Sequence, residues 1–310
     1  MVSGVVVAPD WPAPSGGRTV VSWAHPTTGA APRCAPSIGV APFVLIEGLD
    51  RLIAAGYVVA AADYPGLGVT NPSSYLIGKA EAASVLDIVR TARQLPTGAG
   101  SEVLLWGHSQ GGQAALFAAQ QAREYAPELQ VRAVAVAAPA ADLGTLLDDH
   151  ATDISGVTLS SYAFAAYAAA YGVPLDLILT PAGVAATPAM VELCLFGQLD
   201  KLHAIADPLV GRFMRSDPKT TAPWSDLLTR NTPGGAPITV PMFVAQGTAD
   251  ALVLPAATEA YVQGRCAAGA DVRLRLYQGA THGTVALAAV GDVVTFFADA
   301  RAGHPEPSTC

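Results

Sequence analysis

The sequence predicts an α/β fold, a mainly parallel sheet flanked by helices with an inserted helical cap. Three observations carry that expectation. Apolar runs of strand length alternate with longer helix-period segments, the runs are apolar on both faces, and the alternation halts near Ala140 and resumes at residue 240. Strands buried on both faces and separated by helices belong to parallel sheets covered on either side.

The elements follow in order. "RTVVSWAH" (18–25) is the first run, followed by helical spacing over 42–55 and a second run, "YVVAAAD" (57–63). A helix over 78–95 leads to "EVLLWGH" (102–108), a helix over 110–124 and "VRAVAVAAP" (131–139). After the interruption come "VPMFVAQG" (240–247), a helix over 255–268, "DVRLRLY" (271–277) and a last helix over 283–300. The segment between reads as helices and loops, with eight prolines from Pro174 to Pro237 and no clear strand. Residues 1–139 and 238–310 are therefore expected to form one core and 140–237 a cap or lid over its strand ends.

Composition narrows the function classes. Of 310 residues, 51% are hydrophobic and 14% charged, ample for a large core. A net charge of −8 with no Lys/Arg cluster argues against nucleic acid as a partner. The longest uncharged stretch, Gly156 to Leu175, is broken by Gly172 and Pro174, so no integral membrane span is expected. There is no GxGxxG after the first strand, no phosphate-binding loop and no metal-ligand spacing, so neither cofactor nor metal is expected. "MVSGVVVAPDWP" shows no basic region and no apolar region long enough for a signal peptide, which suits a cytoplasmic protein or a mature exported one.

Four cysteines lie far apart at 34, 194, 266 and 310. Buried thiols in a reducing cell and two disulfides in an exported protein are both open, with three pairings on paper. Cys310, following the loose "GHPEPST", has no core of its own and gains order from a bond. Cys266, after a helix in the same region, is its expected partner, which leaves Cys34 with Cys194.

Chemistry enters at "WGHSQGGQAAL" (106–116). Gly107 to Gly111 match G-x-S-x-G between a buried strand and a helix, where a sharp turn lifts the serine and demands small neighbours. Ser109 is thus the candidate nucleophile, and the Gln110 N–H, first after it, a candidate oxyanion donor. A serine needs a histidine to take its proton and an acid to orient the imidazole, in that chain order acid first and histidine last. "FVAQGTADALV" supplies Asp250 and "LYQGATHGTV" supplies His282, each just past a late strand. Asp142, after the strand that follows the elbow, is the runner-up acid, and His108 is expected to pack beside the elbow.

At this point the chain resembles the secretory lipases, the lipase A type of fungi with its bacterial relatives. The likeness rests on "CAPS" (34–37), "GYVVAAADYPGLG" (56–68), "GHSQGGQAAL" (107–116), "YAPEL" (125–129), "GTADALV" (247–253) and "THG" (281–283). It implies an α/β-hydrolase whose triad falls on Ser109, Asp250 and His282. It further implies export, carboxylic ester substrates with acyl chains beneath the cap, and only transient contact with a lipid interface. The second oxyanion donor would be Asp63 in the "ADYPG" turn, though at a strand end Asp63 could equally cap the turn. One departure is Pro26 in "WAHPTTG", where bacterial relatives look more like "HGTTG"; proline has no N–H, leaving Asp63 or Thr27 to donate. Tyr64 and the cap aromatics Phe164, Tyr167 and Tyr171 are the substrate-binding candidates, the last three sharing one helical face.

The expected function is a serine carboxylic ester hydrolase, lipase or esterase, working through an acyl-enzyme. An acyltransferase or specialised-ester hydrolase could use the same triad, a peptidase could share the fold, and a non-catalytic binding module would lack a triad residue.

Overall fold

The computed structural model describes residues 1–304 and 307–310. Seven strands form one sheet: β1 (Gly4–Val7), β2 (Arg18–Ala24), β3 (Val58–Ala62), β4 (Ala99–His108), β5 (Gln130–Ala137), β6 (Met242–Gly247) and β7 (Val272–Tyr277), in the order β1-β3-β2-β4-β5-β6-β7. Every pairing is parallel except the edge strand β1, which runs antiparallel to β3. Flanking helices are α1 (Leu49–Ala54), α2 (Gly78–Gln94), α3 (Gln110–Tyr125), α9 (Pro255–Ala267) and α10 (Val285–Ala302).

Successive strand residues serve opposite faces. Val20, Val103 and Leu105 pack with α2 and α3, while Val21, Leu104 and Trp106 pack with α1 and α10. This is why the strands read as continuous apolar runs. Trp23 and Trp106 meet at 5.6 Å in the second layer, both fully buried, and each large side chain so placed contributes about 2–3 kcal/mol.

Two expectations need correction. The helix read over 42–55 forms only as α1, because Gly48 sits at φ 85° against Val290 and a left-handed residue cannot continue a right-handed helix. The N-terminal strand β1 was missed; four residues long and half-buried at the sheet edge, it carries too short a pattern to register.

Between β5 and β6 the chain is helical: α4 (Leu143–Asp149), α5 (Ile154–Tyr171), α6 (Pro181–Val191), α7 (Leu195–Ala206) and α8 (Trp224–Asn231), with one isolated bridge, Leu179 to Met214. Side-chain caps start three of them: Asp142 accepts from Thr145 N at 3.0 Å, Asp153 from Gly156 N at 2.9 Å and Thr180 from Gly183 N at 3.1 Å. α5 stops at Gly172, which is left-handed at φ 68°. Tyr162, Phe164, Tyr167 and Trp224 form the centre of a separate apolar cluster here. No helix among the described residues is long and apolar enough to cross a membrane.

The four cysteines form Cys34–Cys194 and Cys266–Cys310. The first joins the loop after β2 to the start of α7, and the second ties the C-terminal residue to α9.

Candidate active site

The turn between β4 and α3 holds Ser109 at φ 56° and ψ −116°, a conformation non-glycine residues rarely adopt. Besides the helical bond from Gln113 N–H to the Ser109 carbonyl at 3.2 Å, two hydrogen bonds to the β5 end hold it there. Ser109 N–H donates to the Ala137 carbonyl, and the Ser109 carbonyl accepts from Ala140 N–H, each at 3.0 Å.

The flanking glycines are required by distance rather than by flexibility. A Cβ on Gly107 would lie 2.1 Å from the Gly111 carbonyl oxygen, and one on Gly111 would lie 1.9 Å from that of Ala24. Backbone atoms cannot retreat as a side chain can. Gly111→Ala is therefore expected to cost about 3 kcal/mol, read as a lower denaturation midpoint; an unchanged midpoint would show that α3 can move off β2.

Asp250 lies past β6 and His282 past β7, and the structure brings them together. His282 Nδ1 is 2.9 Å from Asp250 Oδ2, while Asp250 Oδ1 accepts from Leu252 N at 2.8 Å and Val253 N at 2.9 Å. Burial works against the Asp250 charge, but the His282 bond and charge and these two N–H groups outweigh it, holding the carboxyl below its usual range. An ionised acceptor at Nδ1 fixes the tautomer that leaves Nε2 free to take a proton.

Ser109 and His282 line one cavity of about 390 Å³, within the range of small-molecule sites. No hydrogen bond joins Ser109 Oγ to the imidazole among the described residues; such contacts often tighten only with substrate bound. Gln110 and Thr27 also line this end, and neither backbone N–H has a partner among the described residues. The Gln110 N–H is one of those a helix start leaves unpaired. Much of the remaining wall is apolar, with Leu143, Leu147, Leu159, Phe164 and Tyr167 from the helical insertion, and Glu47, Tyr75, His150 and Ser160 line it as well.

Asp63 stands elsewhere. Its buried carboxylate accepts from Ser3 Oγ at 2.5 Å, from Ser37 Oγ and from Ser37 N at 3.2 Å, and it faces a small separate crevice with Pro36 and Trp23. These contacts hold the Asp63 side chain at that crevice, and it does not line the cavity that holds Ser109. Tyr64 is likewise off the cavity: its hydroxyl donates to the His25 carbonyl at 2.9 Å and its ring stacks on His25 at 4.3 Å, supporting the loop from beneath. Among the cap aromatics, Phe164 and Tyr167 reach the cavity, whereas Tyr171 turns to Asn231. Asp142 is exposed and spends its carboxylate capping α4.

Polar residues invisible as a motif surround the elbow. Glu81 of α2, fully buried, accepts from the Gln110 side-chain amide at 2.6 Å and from Leu76 N at 3.0 Å; burial drives its pKa well up against the pull of these two donors. Leu76, at φ 55°, presents its carbonyl to Gln113 Nε2 and to the Tyr167 hydroxyl. His108 packs its ring 4.9 Å from that of His282, with Nδ1 3.0 Å from Glu47 Oε2 but off the hydrogen-bonding line. Nothing in the local sequence ties Glu47 or Glu81 to Ser109, because the pairs form only through tertiary packing.

A parallel sheet with a strained serine at the β4–α3 turn, an acid and a histidine on later strand-end loops, and a helical insertion above them define an α/β-hydrolase. Solved structures share this fold. Candida antarctica lipase A aligns over 100% of this chain and 75% of its own at 20% identity, with a TM-score of 0.75. A rice cell wall degrading esterase, LipA from Xanthomonas oryzae, aligns over 98% and 86% at 20% identity (TM-score 0.77), and a putative hydrolase from Legionella pneumophila over 97% and 84% at 19% (TM-score 0.80). No curated protein sequence matches. The secretory lipase family model matches residues 44–201, and the chain belongs to that family. It is a carboxylic ester hydrolase of the lipase or esterase kind.

Proposed function

We propose that this protein cleaves carboxylic esters through an acyl-enzyme, with Ser109 as nucleophile, His282 as proton carrier and Asp250 as its orienting acid. The observation that carries this reading is the Asp250–His282 hydrogen bond at the edge of the cavity that also holds Ser109. His282 takes the hydroxyl proton as Ser109 Oγ attacks the ester carbonyl, then delivers it to the departing alcohol. Water repeats the sequence on the acyl-enzyme and frees the acid. Gln110 N–H stabilises the oxyanion from the start of α3, and Thr27 N–H replaces Asp63 as the second donor.

Residues 140–237 act as a cap over a core of 1–139 and 238–310, and the apolar cavity beneath takes the acyl chain. Val44, Phe196 and Leu287 line that cavity while remaining 76%, 55% and 59% exposed. Apolar side chains at a cavity mouth fit passage of a lipid-like ester and transient contact with its surface. Two disulfides fit an oxidising, extracellular setting.

A fluorophosphonate probe tests the nucleophile directly. One equivalent should attach to Ser109, located by peptide mass, and prior incubation with a p-nitrophenyl ester should slow it. Failure to label, or labelling elsewhere, would remove Ser109 from the role.

A further inference from the structure

His150 at the end of α4 hydrogen-bonds through both ring nitrogens. Nδ1 lies 2.5 Å from Asp153 Oδ2 and Nε2 lies 2.6 Å from the Leu252 carbonyl oxygen. A carbonyl can only accept, and so can an ionised carboxylate, so both nitrogens must carry protons. The geometry defines an imidazolium.

Its two partners come from different parts of the chain. Asp153 starts α5 in the cap, where its other oxygen accepts from Gly156 N at 2.9 Å. Leu252 lies in the loop after β6, and its own N–H is one of the two donors to Asp250 Oδ1. Hydrogen bonds therefore run from the cap through His150 to the Leu252 peptide, and onward through Asp250 to His282. His150 itself lines the cavity and a second chamber of about 220 Å³ that adjoins it.

We propose that charged His150 is a positioning residue for the ester hydrolysis, clasping the turn that holds Asp250 to the cap so that His282 is correctly aimed. This rests on the triad reading above. Neutral His150 has one proton for two acceptors, so either Leu252 or Asp153 loses its donor and the turn is no longer held from above.

The charge is defended by its surroundings. Burial opposes it, but Asp153 and the Leu252 carbonyl, with Asp149 on its own helix, raise the pKa above the ordinary histidine value. Across the cavity, Asp250 is engaged by His282 and Glu47 faces His108, while among the described residues the second chamber brings no charged side chain to His150. The contribution of a raised pKa is fully present at low pH and disappears as pH rises through the folded-state value. Positioning by His150 should accordingly fail on the alkaline side.

Asp153→Asn isolates the effect. Asparagine still caps α5 with its single oxygen, but the anion is gone and its amide nitrogen faces Nδ1 as a donor. The alkaline limb of kcat/KM for p-nitrophenyl butyrate should flatten, because neutral His150 can then accept from the asparagine amide at Nδ1 while Nε2–H still donates to the Leu252 carbonyl. His150→Gln should lower kcat about tenfold and flatten that limb, while KM changes about twofold. NMR titration of the His150 ring in Ser109→Ala protein, where turnover plays no part, should show a raised pKa that falls in Asp153→Asn. An ordinary or depressed His150 pKa, or an alkaline limb that ignores both substitutions, overturns the proposal. Full turnover by Ser109→Ala would instead sink the triad reading and leave the titration result standing.

Discussion

Ser109→Ala is expected to lower kcat for p-nitrophenyl ester hydrolysis by about 10⁶-fold and to leave the fold intact. The loss is large because the covalent route ends with the hydroxyl, and His282 and Asp250 then have no nucleophile to activate. Oxyanion donors and substrate binding remain, so a residual acceleration of about 10³–10⁴ over water is expected to survive. The fold is spared for a structural reason. Although Ser109 precedes α3, its side chain makes no capping hydrogen bond, and the strained turn is held by the Ser109 backbone, which alanine retains. Melting curves should agree to within about 0.5 kcal/mol. Initial rates within tenfold of the parent enzyme would mean that another group attacks the ester.

What the sequence made legible, and what it hid, divides along physical lines. Buried strands and their helices were readable because each carries its own apolar pattern, as β4 and β5 do, and because Gly107 and Gly111 mark a turn whose steric demand is local. Asp250 and His282 could be picked out by position, each just past a late strand, even though 32 residues separate them in the chain. The structure adds the hydrogen bond that unites them. Asp63 shows the limit of such reasoning. Its place at a strand end suits an oxyanion donor, but Ser3 and Ser37, distant in sequence, converge on its carboxylate and hold it at a separate crevice, off the cavity that Ser109 lines. Tyr64 and Tyr171 fail similarly: helical or turn position fixes which way a ring starts, while His25 and Asn231 determine where it ends. Glu81 and His150 carried no motif at all. Their importance comes from partners 29 and 102 residues away.

Removing the Cys34–Cys194 bond by a double alanine substitution is expected to destabilise the protein by about 5 kcal/mol and lower Tm by roughly 8 °C. The bond spans 160 residues, and in the chain-entropy model the restraint on the unfolded state grows with the logarithm of that span. Against a typical total stability of about 5–15 kcal/mol, that is a large share. A second consequence follows from where the bond lies. Cys194 immediately precedes α7, the next residue, Leu195, donates to the Thr28 carbonyl at 2.8 Å, and Gly29 packs so closely on Cys34 that a Cβ there would sit 2.6 Å from Sγ. The disulfide thus pins the cap to the loop whose Thr27 N–H is the proposed second oxyanion donor. Loss of the pin should lower kcat at 25 °C, where most of the protein is still folded. The Cys266–Cys310 pair offers the internal comparison, since it closes 44 residues at the far end of α9 and is not among the described residues that line the cavity. Its double alanine variant should lose about 4 kcal/mol by the same entropy yet keep kcat. Equal kcat in both variants would separate the first disulfide from oxyanion-loop placement and leave it a purely structural restraint.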